Sequence, residues 1–279
     1  MKNKNLAVPA ALASMICVQG GASLAKRLFP ALGAIGTSTL RIGLSAVILF
    51  FINRPKFSSF SKKQWLYCAI YGLGIAAMNL IFYMAIQRIP LGLGVTIEFV
   101  GPLFLALALS RKLLDIVWAL LACTGILLIV PWGTGNIDLL GLFLAFLAGA
   151  FWALYIIMGG KVSKVMDSKD AVSTGMLIAA AFIIPFAIWD GQLTKITPLL
   201  FAQGLGVAIL SSALPFSLDM VALKQLPAKT FSILTSLQPA FAALSGLFFL
   251  QETLTGMQWL SIACVVMASI GTTLFSRNH

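Results

Sequence analysis

Glu98 is the residue whose position most directly suggests chemistry in this sequence. It lies inside an apolar stretch, three residues before Gly101-Pro102. A charged side chain in an apolar segment is costly, so it usually has a function or a fixed partner. Pro102 has no backbone N–H to donate, which frees the carbonyl one turn earlier, near Glu98 itself. We therefore expect the carboxylate and this carbonyl to receive a substrate ammonium group or a proton.

Arg41 is a second charged residue inside an apolar stretch. A guanidinium group can bind a carboxylate through two parallel hydrogen bonds, so Arg41 is a candidate for holding a substrate carboxylate. The alternative is a structural ion pair with Glu98, which is the commoner arrangement for such residues. The sequence leaves both interpretations open.

Other polar and aromatic side chains lie in the apolar stretches, several of them one helical turn apart. Residues three or four positions apart share one face of a helix, so such pairs can face a common cavity. Packing of the aromatic rings inside a helix bundle is the alternative. These candidates for substrate binding are Gln19, Asn79, Tyr83, Trp152, Tyr155 and Gln238.

Two prolines predict breaks in apolar helices. Gln238-Pro239 occupies the same place in the second half of the chain as Gly101-Pro102 in the first. Proline interrupts the helical hydrogen-bond ladder, so we expect kinks at Gly101, Pro102 and Pro239 that allow gating. A structural kink would not require an amide at Gln238, which favours a polar pocket there.

The remaining acidic residues have simpler interpretations. Asp219 comes about one turn before Lys224 near the end of an apolar stretch, so the sequence predicts local pairing between them. Asp115 and Glu252 are predicted to mark helix N-termini, where a carboxylate meets the positive end of the helix dipole.

An enzymatic function has little support in the sequence. His279 is the only histidine, which excludes Ser/His, Cys/His and HExxH chemistry. Ser23 and Lys26 form an SxxK pattern that could serve as nucleophile and base, but such a short pattern is weak. We therefore predict no catalytic residues.

The sequence also gives no sign of a cofactor. It contains no Walker A motif, so ATP is not the direct energy source. The cysteines all lie in apolar runs, without the spacing of a metal site or a disulfide framework. They are Cys17, Cys68, Cys123 and Cys264. We expect neither a metal nor another cofactor.

The composition is that of an integral membrane protein. Of the 279 residues, 60% are hydrophobic and 10% are charged, whereas about 25% of the residues of a soluble domain are charged. About 20 apolar residues are needed to span a bilayer, and runs of this size recur along the chain. They predict an all-α protein of ten transmembrane helices at 6–25, 33–53, 64–86, 91–110, 114–130, 137–158, 171–189, 199–223, 230–250 and 256–275.

The basic residues predict the orientation. The net charge is +11, but the lysines and arginines are spread between apolar runs rather than gathered on a soluble face, which argues against nucleic-acid binding. Fourteen of the nineteen fall in connections on one side of the predicted membrane and four on the other. Cytoplasmic connections carry the excess, so both termini are predicted to lie inside.

An internal repeat appears at an offset of 137 positions, which aligns Pro90 with Pro227, Pro102 with Pro239 and Asp115 with Glu252. A repeat of five helices crosses the membrane an odd number of times, so its second copy must be inverted. Residues 1–136 and 137–279 are therefore predicted as two repeats of one membrane domain. In transporters of this plan the substrate binds near the midplane between the repeats.

Six blocks of the sequence, at 18–26, 78–87, 95–102, 148–155, 210–215 and 230–255, resemble the threonine and homoserine exporter branch of the drug/metabolite transporter superfamily, the EamA family. The resemblance covers nearly the whole chain. It implies ten helices in a bacterial-type inner membrane and a central cavity bounded by the first, third, fourth, sixth, eighth and ninth. It also implies export of amino acids or related metabolites.

One position departs from that pattern. The resemblance implies an acidic residue just before the proline of the ninth helix, and this chain has Gln238 there. Glu98 is therefore the better candidate for coupling transport to protons. The expected function is alternating-access export of a small zwitterion, as a monomer or homodimer. The alternatives are export of another metabolite or a cationic drug and, more distantly, an intramembrane enzyme.

Overall fold

The computed structural model describes residues 6–109, 117–118, 120–121, 123–125, 128, 138–251, 253 and 255–276. This part of the chain is helical and contains no β-strand. Six of its helices are long and apolar enough to cross a membrane, and three shorter apolar helices accompany them. The prediction of an all-α fold is thus confirmed for the described residues. The predicted span 114–130 lies largely outside the described residues. Asp115 and Glu252, predicted to mark helix N-termini, also lie outside them.

Eleven helices position the side chains discussed below. The first five are α1 (Ala7–Lys26), α2 (Phe29–Asn53), α3 (Lys62–Ile86), α4 (Leu91–Glu98) and α5 (Val100–Ala108). The next three are α6 (Leu139–Val165), α7 (Ser168–Asp190) and α8 (Pro198–Gln225). The last three are α9 (Ala228–Leu234), α10 (Gln238–Ser245) and α11 (Gly256–Ser276).

Local sequence explains several of the helix starts. Ser61 and Gln64 form a capping box at the start of α3, in which each side chain bonds to the other's backbone N–H. The Asp138 side chain accepts a bond from the backbone N–H of Gly141 and caps α6. Thr197 caps α8 directly before Pro198, whose fixed φ suits a first helical position.

Most observed helix ends lie within about one turn of the predicted ones. The exception is α6, which continues to Val165 instead of ending at Met158. It passes through Gly159, where an added Cβ would lie 2.7 Å from Leu223. The extra turns of α6 therefore pack closely against α8.

Several helical segments in the described part of the chain are irregular. The α4 and α5 helices are separated at Phe99, just before Gly101-Pro102, and a 3₁₀ turn at Thr235–Leu237 separates α9 from α10 before Pro239. In α2, Gly33 has φ 63° and bends the first turn away from the rest of the helix. A π-helical turn at Ile209–Ala213 lies in the middle of α8.

The helices pack in pairs that join distant parts of the chain. The α3 helix lies against α6 and α7, whereas α8 lies against α1 and α2. The α2 and α7 helices contact each other, as do α4 with α10 and α5 with α9. The ends of the broken helices are therefore brought together in the interior of the bundle.

Candidate functional site

A cavity of about 60 Å³ lies between α1, α2, α3, α4, α6, α8 and α10. This volume holds a few water molecules and is well below that of most small-molecule sites, about 300–1,000 Å³. Seven of the eight side chains predicted to bind substrate line it. They are Gln19, Arg41, Asn79, Glu98, Trp152, Tyr155 and Gln238.

Tyr83 is the predicted residue that does not line the cavity. It is fully buried behind Arg41, and Arg41 Nη1 donates a 2.8 Å hydrogen bond to its hydroxyl group. The Arg41 Cζ atom also lies 4.6 Å from the centre of the Tyr83 ring. Tyr83 thus positions the guanidinium instead of facing a ligand.

Arg41 is almost completely buried, with 3% of its surface exposed. Its Nε atom has no hydrogen-bond partner among the described residues. Tyr83 occupies one side of the guanidinium through Nη1, and Nε remains as a donor for a group in the cavity. A planar guanidinium with unused donors suits a carboxylate.

Glu98 ends α4 and is 7% exposed. Its carboxylate forms no hydrogen bond or salt bridge with any described residue. No salt bridge within 4.0 Å joins Glu98 to Arg41 in the described part of the chain, although the two groups attract each other electrostatically. Two opposite charges therefore face the same cavity without neutralising each other directly.

The backbone around Glu98 packs tightly against α6. A Cβ atom added to Gly149 would overlap the Glu98 carbonyl oxygen, and one added to Gly101 would overlap the Gly149 carbonyl oxygen. Pro102 cannot donate to the Glu98 carbonyl, since it lacks an N–H. The predicted free carbonyl thus faces Gly149 on α6.

Three side-chain amides surround the charged pair. Gln19 Nε2 donates a 2.5 Å hydrogen bond to Gln238 Oε1, and Asn79 Nδ2 donates a 2.7 Å bond to the Ile75 carbonyl. Gln19 Oε1, by contrast, is buried without a partner in the described part of the chain. Gln19 therefore adds an acceptor atom to a cavity that already contains the Glu98 carboxylate.

The aromatic residues on α6 are held by neighbouring rings. The Trp152 ring lies edge-on to Phe99 with 6.2 Å between centroids, and the Tyr155 ring stacks on Tyr71 at 5.4 Å. Both side chains also line the cavity. Each ring therefore packs against a neighbouring ring and forms part of the cavity wall.

Asp219 corrects the prediction of local pairing. Lys224 Nζ instead lies 3.6 Å from Asp167 Oδ1, and Asp219 lines the cavity. The Tyr155 hydroxyl donates a 3.0 Å hydrogen bond to Asp219 Oδ2. The sequence prediction paired Asp219 with Lys224 because they are close in the chain. It could not foresee Asp167, which is 57 positions before Lys224.

Ser211, Phe82 and Phe216 also line the cavity and were not predicted.

The described residues offer no alternative catalytic centre. Ser23 Oγ is buried without a hydrogen-bond partner among them, and Lys26 Nζ lies 3.4 Å from the Ile89 carbonyl oxygen. The two groups of the SxxK pattern are thus not joined by a hydrogen bond. Within the described ranges, no three His, Cys, Asp or Glu side chains are grouped as a metal site would require.

Comparison with known proteins identifies relatives of the chain. Residues 139–274 match the model of the EamA-like transporter family. The chain is 43% identical to "Threonine/homoserine exporter RhtA" of Escherichia coli (strain K12) over 96% of this chain and 91% of that protein, and equally to that of Salmonella typhimurium (strain LT2). It is 25% identical to "Uncharacterized transporter YwfM" of Bacillus subtilis (strain 168) over 84% of this chain and 81% of the relative.

A solved structure titled "Crystal structure of protein" has the same fold. It is 13% identical, gives a TM-score of 0.72 and covers 97% of both chains. Because the sequence relatives are named as transporters, the prediction of a transporter rather than an enzyme is confirmed. The resemblance in the sequence is confirmed too, and the chain belongs to the EamA-like transporter family.

Proposed function

We propose that this protein exports a small zwitterionic amino acid by alternating access. The observation that carries the proposal is the pair Arg41 and Glu98, which line one buried cavity and are not bonded to each other. A ligand with a carboxylate at one end and an ammonium group at the other satisfies both. Buried charges without partners are costly, so such a ligand is bound strongly where an uncharged one is not.

The surrounding groups suit the two ends of a zwitterion. The substrate carboxylate binds the donors of Arg41 that Tyr83 leaves unused. The ammonium group binds Glu98, with Gln19 Oε1 as a further acceptor. The substrate side chain, which must be short, packs against Trp152 and the other apolar side chains of the lining.

The name of the 43% identical relatives narrows the substrate class. They are threonine/homoserine exporters, and both of those substrates are small zwitterions with a hydroxyl group. We therefore propose threonine, homoserine or a close analogue as substrate.

The proposed architecture is ten transmembrane helices in two inverted repeats, residues 1–136 and 137–279. Its support is the packing pattern: α3 lies against α6 and α7 as α8 lies against α1 and α2. If α1, α2 and α3 of the first half are exchanged with α6, α7 and α8 of the second, the same helix contacts result. The breaks before Pro102 and Pro239 occur at matching positions and lie where α4 meets α10, so we propose them, with Gly101, as gating joints.

We also propose a bacterial inner membrane location with both termini in the cytoplasm. The excess of lysine and arginine in alternate connections supports this orientation. The connection between α2 and α3, for example, contains Arg54 and Lys56 and no acidic residue.

Efflux from proteoliposomes tests the function. Wild-type protein should release preloaded labelled threonine or homoserine with saturation, and Glu98→Gln should not. Asp190→Asn is the matched control, because Asp190 is an exposed acid at the end of α7. Transport by Glu98→Gln equal to wild type at every pH would contradict the role of Glu98.

A competition panel tests the zwitterion site. Threonine should inhibit efflux more strongly than threonine amide, which lacks the carboxylate that Arg41 binds. Equal inhibition by the amide, or stronger inhibition by a hydrophobic cation, would instead support the alternative of a cationic substrate.

A further inference from the structure

The cavity contains more negative charge than a zwitterion can balance. Its described lining has two carboxylates, Glu98 and Asp219, and one cation, Arg41. A zwitterion held between Arg41 and Glu98 has no net charge, so the surplus negative charge at Asp219 stays in place. A ligand with one further positive charge brings the charge of the site to zero. The charges of the lining therefore favour a ligand with two ammonium groups and one carboxylate.

Asp219 is held in place but has no cation beside it in the described part of the chain. The Tyr155 hydroxyl donates a 3.0 Å hydrogen bond to Asp219 Oδ2, and the Tyr155 ring packs edge-on against Phe216 at 5.5 Å between ring centroids. The neighbouring Lys224 forms its salt bridge with Asp167 instead. A carboxylate has about four acceptor sites, so Asp219 can accept further hydrogen bonds from a ligand.

Two buried polar groups of the same cavity also lack partners. Arg41 is 3% exposed and Gln19 is 2% exposed. Arg41 Nε and Gln19 Oε1 form no hydrogen bond with any described residue. A buried polar atom without a partner is costly, so such atoms in a cavity indicate where a ligand binds. The Nε atom offers a donor to a carboxylate, and the Oε1 atom offers an acceptor to an ammonium group.

The lining also suits a second ammonium group. Moving an ammonium group out of water is costly, and the cost is offset where a carboxylate and further partners receive it. Asp219 supplies the carboxylate, and it is half-buried at the cavity wall. The aromatic residues Phe82, Trp152 and Phe216 line the same cavity, and aromatic rings attract cations. A substrate hydroxyl group can bond to Asp219 too, but it does not balance the charge.

We propose that this transporter also carries short diamino acids, an inference that rests on the proposed zwitterion site. The ligand carboxylate binds Arg41, the α-ammonium group binds Glu98, and the side-chain ammonium group binds Asp219. The cavity is small, so the ligand side chain must be short. 2,4-Diaminobutyrate fits this description. It is homoserine with the hydroxyl group replaced by an ammonium group, and the two molecules have the same number of non-hydrogen atoms.

Binding to the wild-type protein is the direct test. Purified protein in detergent is titrated calorimetrically with 2,4-diaminobutyrate and with homoserine at neutral pH, where the side-chain ammonium group is charged. Hydrogen bonds in which the donor or acceptor is charged are stronger than those between neutral groups, and here both are charged. Diaminobutyrate should therefore bind about tenfold more tightly than homoserine. Equal or weaker binding of diaminobutyrate would overturn the proposal.

Asp219→Asn tests which carboxylate is responsible. Asparagine keeps the size of the side chain and removes its charge, so diaminobutyrate should lose its advantage over homoserine. The measured quantity is the ratio of the two Kd values. Asp190→Asn, at an exposed acid at the end of α7, should keep the wild-type ratio. A wild-type ratio in Asp219→Asn would refute the assignment, and if this variant does not fold, the wild-type titrations decide the proposal by themselves.

Two further ligands define the chemistry of the site. 1,3-Diaminopropane is diaminobutyrate without its carboxylate, so it leaves Arg41 without a partner and should bind more weakly. Lysine has the same charges as diaminobutyrate on a longer side chain and should also bind more weakly, because the cavity is small. Tighter binding of either molecule than of diaminobutyrate would rule out a site for short diamino acids.

Transport separates this inference from the proposed function. Proteoliposomes loaded with labelled 2,4-diaminobutyrate should show saturable efflux that homoserine inhibits. Efflux of threonine and homoserine without efflux of diaminobutyrate would end the inference alone. Absence of binding and efflux for all three amino acids would end the proposed function and the inference together.

Discussion

Gln19 of α1 and Gln238 of α10 are joined by a side-chain hydrogen bond of 2.5 Å, which links residues 219 positions apart across the cavity. Gln238 stands where the resemblance implied an acidic residue. With an amide there, the contact between the two helices is uncharged. The acidity of the cavity therefore comes from Glu98 and Asp219 instead.

Replacement of Gln238 by leucine should destabilise the protein. The change leaves the buried Gln19 amide without its partner, which costs about 1–3 kcal/mol of unfolding free energy. Thermal unfolding in detergent should show a lower Tm than for wild type. Gln203→Leu, at an exposed position on α8, is the control and should change the Tm little. Equal Tm values for the two variants would contradict the structural role of the Gln19 bond.

Arg41→Lys should weaken threonine binding although the charge is kept. A lysine ammonium group cannot make paired bonds to a carboxylate or stack on Tyr83 as the guanidinium does. We expect at least about a tenfold loss of affinity, or about 1.4 kcal/mol. Arg54→Lys, at the exposed end of α2, is the matched control. Calorimetric titration with threonine measures the effect, and wild-type affinity in Arg41→Lys would exclude a paired contact.

Gly149→Ala should disrupt the contact between α4 and α6. Its Cβ would overlap the Glu98 carbonyl oxygen, so the helices must separate and displace Glu98. Overpacking of this kind costs about 1–3 kcal/mol, and threonine efflux should fall as well. Gly160→Ala on the same helix has no atom within 4 Å of its new Cβ and should be tolerated. Similar efflux from both variants would show that the close contact is not needed.

Asp138, which lies just before α6 and outside the membrane-spanning helices, should make a pH-dependent contribution to the stability of the fold. The Gly141 backbone N–H, and then the Arg88 guanidinium 3.1 Å away, hold the pKa of the Asp138 carboxyl below its ordinary value of 3.8. A group with a lower pKa in the folded protein stabilises the fold above its unfolded pKa, and that contribution is lost as the pH falls through the folded pKa.

The variant Asp138→Asn should therefore have a lower Tm than wild type at neutral pH. The difference should shrink as the pH falls below about 4, the ordinary aspartic acid pKa, because the wild-type carboxyl is then increasingly protonated. A Tm difference that is constant across this range would show that charge is not involved.

The sequence predicted most of the helices and half of the residues that line the cavity, for physical reasons that are local. Apolar runs long enough to cross a bilayer fix the helix bounds, and an isolated polar residue such as Gln19 or Glu98 must face the interior of the bundle. What it missed depends on long-range contacts. The partner of Lys224 is Asp167 rather than Asp219, and Tyr83 lies behind Arg41, because tertiary packing decides which side of a helix a given group faces.

The π-helical turn at Ile209–Ala213 sets the rotational phase of the second half of α8. One extra residue in a turn rotates everything after it by about 100° around the helix axis, given 3.6 residues per turn. Asp219 reaches the cavity, and Lys224 reaches Asp167, only in the phase that this turn creates. A single-residue deletion within 209–213 would keep the composition and hydropathy of α8 nearly intact, yet it would turn Asp219 away from the other charges.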